Sequence, residues 1–307
     1  MAEPLDRALL DEDVPGWWAA LGLPGLVDVH VHLLPPPVMR RVREQFDTAG
    51  PLIGHPWPLR YRGDEDELIA HLRALGVRRF TALPYAHRPG IAGYLNDWAA
   101  DLARREPDVA RSATFYPEDG VDGYVTHLLD DGVEVFKVHV QVGRFDLLDP
   151  RLDDVWGPVA EAGTPVVLHA GSGPVANRFT GPGPVRALLD RHPRLVLVLA
   201  HLGAPEYDGF VGLAGDFDRV HLDTTMAFTD FFEDLAPFPS ALLPRLADLG
   251  DRVLLGSDFP NIPYPYAHQL EALERLGLGG DWLRAVCWDN PRRLLGGGDV
   301  PERSPDR

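Results

Sequence analysis

The 307-residue sequence predicts an α/β fold of the (β/α)8 type, the TIM barrel. Three observations carry that expectation. Eight short apolar or β-branched runs alternate with stretches whose apolar residues recur every three or four positions. One run, Leu195-Val196-Leu197-Val198-Leu199, is apolar throughout, as a strand buried on both faces must be; sheets covered on both faces are the parallel ones. The residues suited to chemistry, chiefly histidines and one aspartate, stand at the C-terminal ends of these runs, where barrel enzymes build their sites. A doubly wound open sheet is the competing architecture.

In chain order, the first strand is read over 26–32. Residues 33–62, rich in proline and aromatics, read as an insertion after it and a candidate lid. A helix is predicted over 65–75, then a strand over 77–83, a helix over 91–105 and strands over 109–115 and 133–140. A helix over 153–162, a strand over 165–169 and a helix over 185–191 follow. Strands over 195–201, 219–223 and 252–258 and a helix over 267–276 complete the series. No Gly/Ser linker or composition shift divides the chain, so one domain over 1–307 is expected, with the Gly-, Pro- and charge-rich end from Gly296 onward frayed.

Composition bounds the partners. With 46 acidic side chains against 29 Lys and Arg, the formal net charge is −17, and the basic residues are scattered. Nucleic acid and anionic membranes are bound through clustered cations, so both are excluded as expected partners. The longest apolar stretch, near 195–200, falls far short of the roughly 20 residues needed to span a bilayer. Cys287 is the single cysteine, so no internal disulfide forms, and the opening residues lack a signal-peptide pattern; the expected setting is the cytoplasm and the expected partner a small-molecule substrate.

The candidate site follows from the strand ends. His30 and His32 close the first run, Lys137 and His139 lie late in the fourth, His169 ends the fifth, His201 the sixth and Asp258 the eighth. In a barrel these ends converge on one axial point. Alternate strand residues face one side, so both rings of His30-Val31-His32 can point inward. Each feature alone has an ordinary explanation: a hydrogen-bonded His-x-His pair, a satisfied strand-end histidine, an aspartate capping the turn before Phe259-Pro260. Their coincidence on four separate strands points to one divalent cation. Imidazole nitrogen and carboxylate oxygen suit Zn2+, Mn2+, Fe2+ or Ni2+, with Zn2+ the first expectation.

The motifs Val27-Asp28-Val29-His30-Val31-His32, Phe136-Lys137-Val138-His139, Val167-Leu168-His169-Ala170-Gly171, Leu199-Ala200-His201-Leu202-Gly203 and Leu255-Gly256-Ser257-Asp258-Phe259-Pro260 occur in this order, and 289–296 closes the pattern. Together they resemble the metal-dependent amidohydrolase superfamily, in its branch of compact barrels that includes aminocarboxymuconate-semialdehyde decarboxylase. The resemblance implies that His30, His32 and His169 ligate the metal, with Asp258 as an axial ligand or base and His201 beside it as a further catalytic group. In binuclear relatives the sixth-strand histidine is itself a ligand and a strand-four lysine is carboxylated; Lys137 matches that lysine by position only, and an electrostatic or substrate-orienting role is favoured for it.

A metal with an open position makes hydroxide available near neutral pH, and a carboxylate beside it can move the proton. His139 is expected to line the pocket, and Arg178 to bind a substrate carboxylate or merely face solvent. Phe228, with Phe231 and Phe232, is expected to wall an apolar pocket or to form a homodimer contact. Asp223, with Thr224 and Thr225, is expected to fix its loop or to hold a ligand histidine from behind. The favoured reaction is hydrolysis of an amide, cyclic amide, lactone or ester of a small molecule. Non-oxidative decarboxylation is the alternative, since the same ligands serve both, and a ligand-binding barrel without catalysis is the third.

Overall fold

The computed structural model describes residues 8–296; beyond Gly296 the expected frayed tail lies outside them. A 3-10 turn at Asp11–Asp13 and helix α1 (Val14–Ala20) lead into β1 (Leu26–Asp28), followed by α2 (Pro36–Ile53), α3 (Glu65–Ala74), β2 (Val77–Thr81) and α4 (Ala92–Arg105). Next come β3 (Val109–Ala110), β4 (Ser112–Thr114), α5 (Val121–Asp130), β5 (Val135–His139), α6 (Val140–Gly143), α7 (Asp153–Ala162) and β6 (Val166–His169). The chain continues through α8 (Pro182–Arg191), β7 (Leu197–Leu199), α9 (Tyr207–Asp216), β8 (Val220–Asp223), α10 (Asp230–Glu233) and α11 (Leu243–Asp248). It ends with β9 (Val253–Leu254), α12 (Tyr266–Arg275), α13 (Gly280–Arg284) and α14 (Asn290–Leu294).

All strand pairs are parallel, in the orders β1-β2-β3 and β4-β5-β6-β7-β8-β9. β3 and β4 are the two halves of the single strand predicted over 109–115. They part at Arg111, where the Ser112 hydroxyl stands in for the ladder, accepting from Ala82 N at 3.1 Å and donating to Ala110 O at 3.0 Å. The ring closes between the runs beyond β1 and β9: Val29 N donates to Leu255 O (3.0 Å), Asp258 N to His30 O (2.9 Å) and His32 N to Phe259 O (2.7 Å). This is the (β/α)8 TIM barrel. Most observed strands are shorter than predicted, because the backbone groups near the rim bond to loops and side chains instead of to neighbouring strands.

The pleat sorts the apolar residues. Val27, Val135, Val167, Val198 and Leu254 share a cluster inside the barrel, whereas Leu26, Phe136, Leu168, Leu197 and Leu199 pack outward under the helices. Period-two alternation therefore sends Lys137 and His139 to the side of Val135, and His169 to the side of Val167. The apolar floor and the polar rim belong to the same strand faces.

The insertion carries more order than its composition suggests. Prolines at Pro36 and Pro37 start α2, where a missing N–H costs nothing. Its return stretch is pinned, since Trp57 Nε1 donates to Asn261 O at 2.8 Å and Trp57 packs with Met226, Ile262 and Tyr264. Among the described residues no helix is long and apolar enough to cross a membrane.

The leading segment ties these parts together through Asp11. Its carboxylate accepts from Tyr61 Oη (2.5 Å), His71 Nε2 (3.1 Å) and Ala267 N (3.0 Å), joining the insertion, α3 and α12. Burial alone raises the Asp11 carboxyl, but these hydrogen bonds outweigh it and hold the group below its usual range. A depressed carboxyl contributes stability that is full above the unfolded value and lost as pH falls through the folded one. Asp11→Asn should therefore cost about 1 kcal/mol at pH 7. In urea titrations the gap from wild type should narrow below about pH 4; a gap independent of pH would refute the assignment.

Candidate metal centre

Three side chains converge where the ring closes. His30 Nε2 lies 3.1 Å from His32 Nε2, and Asp258 Oδ1 lies 3.6 Å and 3.2 Å from the two nitrogens respectively. His30 is fully buried, and His32 and Asp258 are only 5% and 8% exposed, so the group sits at the bottom of the mouth and remains reachable.

The far side of each imidazole fixes what its near side can do. His30 Nδ1 faces Asp223 Oδ2 at 2.8 Å, and His32 Nδ1 faces the Leu83 carbonyl at 2.9 Å. Both partners are acceptors, so each Nδ1 donates and, in the neutral ring, each Nε2 keeps a lone pair. Two nitrogen lone pairs and a carboxylate oxygen aimed at one another repel unless positive charge lies among them; the Lys137 ammonium, 2.9 Å from His30 Nε2, is one such charge. The donor set, two imidazoles and one carboxylate within 4.8 Å of one another, fits a divalent first-row metal.

Asp258 is delivered by an uncommon backbone. It adopts left-handed φ of 68°, held by its own N–H to His30 O and by Asn261 N donating to Asp258 O at 2.8 Å. Burial works to raise its carboxyl, but the neighbouring imidazoles, His32 first and then His30 and His201, outweigh it and hold the group well below the usual carboxylate range. His201 is also left-handed, with φ of 55°. Such conformations in non-glycine residues cluster at functional sites.

Asp28 lies beneath the group. It accepts from His30 N (3.0 Å), Ser257 Oγ (2.5 Å) and Tyr266 Oη (3.0 Å), and burial, against these bonds, pushes its carboxyl up to about 7. Asp28 thus links the backbone of His30 to the loop that carries Asp258.

Lys137 is fully buried, with Nζ 2.9 Å from His30 Nε2. Burial pushes its ammonium down to about 8, opposed by Asp223 and Asp258. His201 Nδ1 donates to Thr225 O at 3.1 Å, and its ring lies 5.3 Å from that of His30 and 4.9 Å from that of His169. Burial drives the imidazoles of His30, His139 and His169 well below their ordinary value, and that of His201 below it, which favours neutral rings.

The structure brings together His30, His32, Asp258, Lys137 and His201 as the strand-end argument expects, and places the other candidates as follows. His169 stands beside the compact group: its ring stacks on His139 at 4.0 Å, and its Nε2 points to Gly173 O at 3.1 Å. His139 also caps α6, its Nδ1 accepting from Val142 N at 3.4 Å. Arg178 is exposed, its guanidinium 4.6 Å over the ring of Phe179. Phe228 packs into the main core against Phe238 at 4.9 Å, whereas Phe232 stacks on His201 at 5.9 Å and faces the mouth.

Tyr85 was not among the candidates. Its ring sits 5.5 Å from His32 and 5.2 Å from His139, and burial, with Asp258 adding to it, pushes its phenol up to about 12, so the hydroxyl stays protonated and can donate. Its signal was available, since Leu83-Pro84-Tyr85 directly follows the second strand run.

The amidohydrolase family model matches residues 27–297. None of the curated proteins matches the sequence. Among solved structures, an uncharacterised TIM-barrel protein from Bordetella bronchiseptica is similar at TM-score 0.65 and 18% identity, over 88% of this chain and 98% of that one. A putative 2-pyrone-4,6-dicarboxylic acid hydrolase from Pseudomonas putida is similar at TM-score 0.58 and 18% identity, over 89% and 98%. A 5-carboxyvanillate decarboxylase from Novosphingobium aromaticivorans, complexed with manganese, is similar at TM-score 0.55 and 13% identity, over 88% and 96%. At such identities these likenesses establish the barrel fold and nothing finer.

Proposed function

The chain belongs to the amidohydrolase family, and from that premise we propose that it is a metal-dependent hydrolase of amides, cyclic amides, lactones or esters of small molecules. The observation that carries the reading is the convergence of His30 Nε2, His32 Nε2 and Asp258 Oδ1 at the barrel mouth. These three residues would hold the ion, with His169 and His201 alongside. Zn2+ is the first candidate and Mn2+, Fe2+ and Ni2+ the others; manganese accompanies the similar decarboxylase. A divalent ion so held supplies a water acidified toward neutrality and a Lewis acid for the scissile carbonyl.

The chain's own groups supply the proton work. Asp258, kept ionised, accepts the proton of the attacking water and returns it to the departing nitrogen or oxygen. The Tyr85 hydroxyl, kept protonated, is a donor at the mouth for the carbonyl oxygen as charge develops, and His201, its Nδ1–H committed to Thr225 O, presents Nε2 beside it as an acceptor. Lys137 offsets the negative charge of Asp258 and Asp223 from below. Phe232 provides an apolar wall, and His139 lines the same side as His169.

Decarboxylation remains the second reading, because a decarboxylase of the same fold is among the similar structures. Against it, recognition of a substrate acid favours guanidinium groups, and Arg60, Arg62 and Arg178 are all exposed. The test is a screen of the purified chain loaded in turn with Zn2+ and Mn2+. Acid release from lactones, cyclic amides or esters supports hydrolysis. Carbon dioxide from carboxylated aromatics without acid release makes the enzyme a decarboxylase. Full activity after exhaustive chelation would remove the metal from the mechanism.

A further inference from the structure

We propose that Asp223 is a positioning residue that sets the tautomer of His30 and, with the same carboxylate, holds the left-handed turn presenting His201. The consequence for cation binding rests on the metal-dependent reading above; the tautomer argument rests on geometry alone.

Asp223 ends β8 and is fully buried. Three donors face its two oxygens: Oδ1 accepts from His201 N at 2.9 Å and Thr225 N at 3.1 Å, and Oδ2 accepts from His30 Nδ1 at 2.8 Å. With Oδ1 taken by the two backbone N–H groups, Oδ2 is the acceptor left for His30, so Nδ1 carries the proton and Nε2 keeps its lone pair. A second contact agrees, because the Lys137 ammonium, a donor, lies 2.9 Å from that same Nε2. The two backbone N–H groups at Oδ1 come from His201, with its φ of 55°, and from the turn before Met226, with φ of 59°. One side chain therefore stabilises the strained approach of His201 and selects the donor face of His30, coupling parts of the site that lie on separate strands.

The residue type matters, and Asp223→Asn exposes why. The two backbone N–H groups demand an acceptor, so the amide oxygen takes the place of Oδ1 and the NH2 turns toward His30. His30 must then present a lone pair at Nδ1 and carry its proton on Nε2, which withdraws one of the three converging donors without moving the backbone. Asp223→Ala differs, since it also removes the acceptor for His201 N.

Histidine-directed 15N NMR of the full chain after chelation, followed by Mn2+ titration, tests the proposal. We expect His30 as the Nδ1–H tautomer in wild type and the Nε2–H tautomer in Asp223→Asn, with Mn2+ affinity reduced about 10–100-fold. The His201 amide should remain protected from hydrogen exchange in Asp223→Asn and lose protection in Asp223→Ala. An Nε2–H tautomer in wild type, which needs no variant to observe, overturns the proposal. So does an Asp223→Asn protein that binds Mn2+ as tightly as wild type. A wild type with His30 in the Nδ1–H form that takes up neither Mn2+ nor Zn2+ sinks the metal-dependent reading itself, and with it the binding role given to Asp223.

Discussion

Asp258→Asn should lower kcat/KM for hydrolysis by about 10²–10⁴-fold while leaving the fold and most bound metal in place. The substitution is chosen for its backbone. Residue 258 has φ of 68°, a region that asparagine enters far more readily than alanine or a β-branched residue, so the turn that delivers it should survive. An amide oxygen can still face His32 Nε2, where Asp258 Oδ1 now stands at 3.2 Å. The amide cannot accept a proton at any accessible pH, so the loss falls on kcat. Steady-state kinetics on the best substrate from the screen, with metal content measured on the same samples, checks this. Activity within threefold of wild type would assign the proton transfer to another group.

Gly256→Ala should cost about 3 kcal/mol of stability, the upper end of ordinary overpacking, and take metal binding with it. A Cβ at this position would stand 2.2 Å from Thr225 Oγ1, 2.9 Å from His30 Cβ and 3.3 Å from Asp223 Cγ. Thr225, His30 and Asp223 are all fully buried, so none can swing into solvent to make room. The displacement is therefore passed to the His30 ring and to the hydrogen bond that orients it. Gly212→Ala supplies the contrast: it lies within α9 with nothing within 4 Å of its would-be Cβ, and should gain about 0.5–1 kcal/mol. Urea unfolding of both variants, with Mn2+ titration, decides the matter. Equal stability and undiminished metal uptake in Gly256→Ala would contradict the packing described around His30.

The helices were readable because their apolar spacing needs no partner to be recognised. Residues 153–162 match α7, and 65–75 and 267–276 miss α3 and α12 by a residue. Strand ends were overdrawn. The first was read through His32, but its ladder stops at Asp28, after which the backbone bonds to Leu255, Thr81 and Phe259. His30 and His32 do face each other, but they do so beyond the ladder, held by those bonds. α2 does not stand out in the sequence because its prolines suggest a loop, although two of them merely open the helix.

At the site, His30, His32, Asp258, Lys137 and His201 were visible as polar residues closing apolar runs. Side-chain rotation was not, and it turns His169 Nε2 onto Gly173 and Arg178 out over Phe179. Phe228 lies in the core for a related reason: its left-handed φ of 68° is a turn property that no spacing rule anticipates. The roles of Tyr85 and Asp28 depend on neighbours from other strands, which no local pattern in the sequence names.

The ring of strands is sewn shut by bonds between residues 29–32 and 255–259, and the converging donors occupy that same stitch. Any ion bridging His30 and Asp258 would thus fasten the earliest strand to the latest, closing a very long loop of chain. Occupancy would then govern durability as well as turnover, since an ion held there adds its binding free energy to the closure of the barrel.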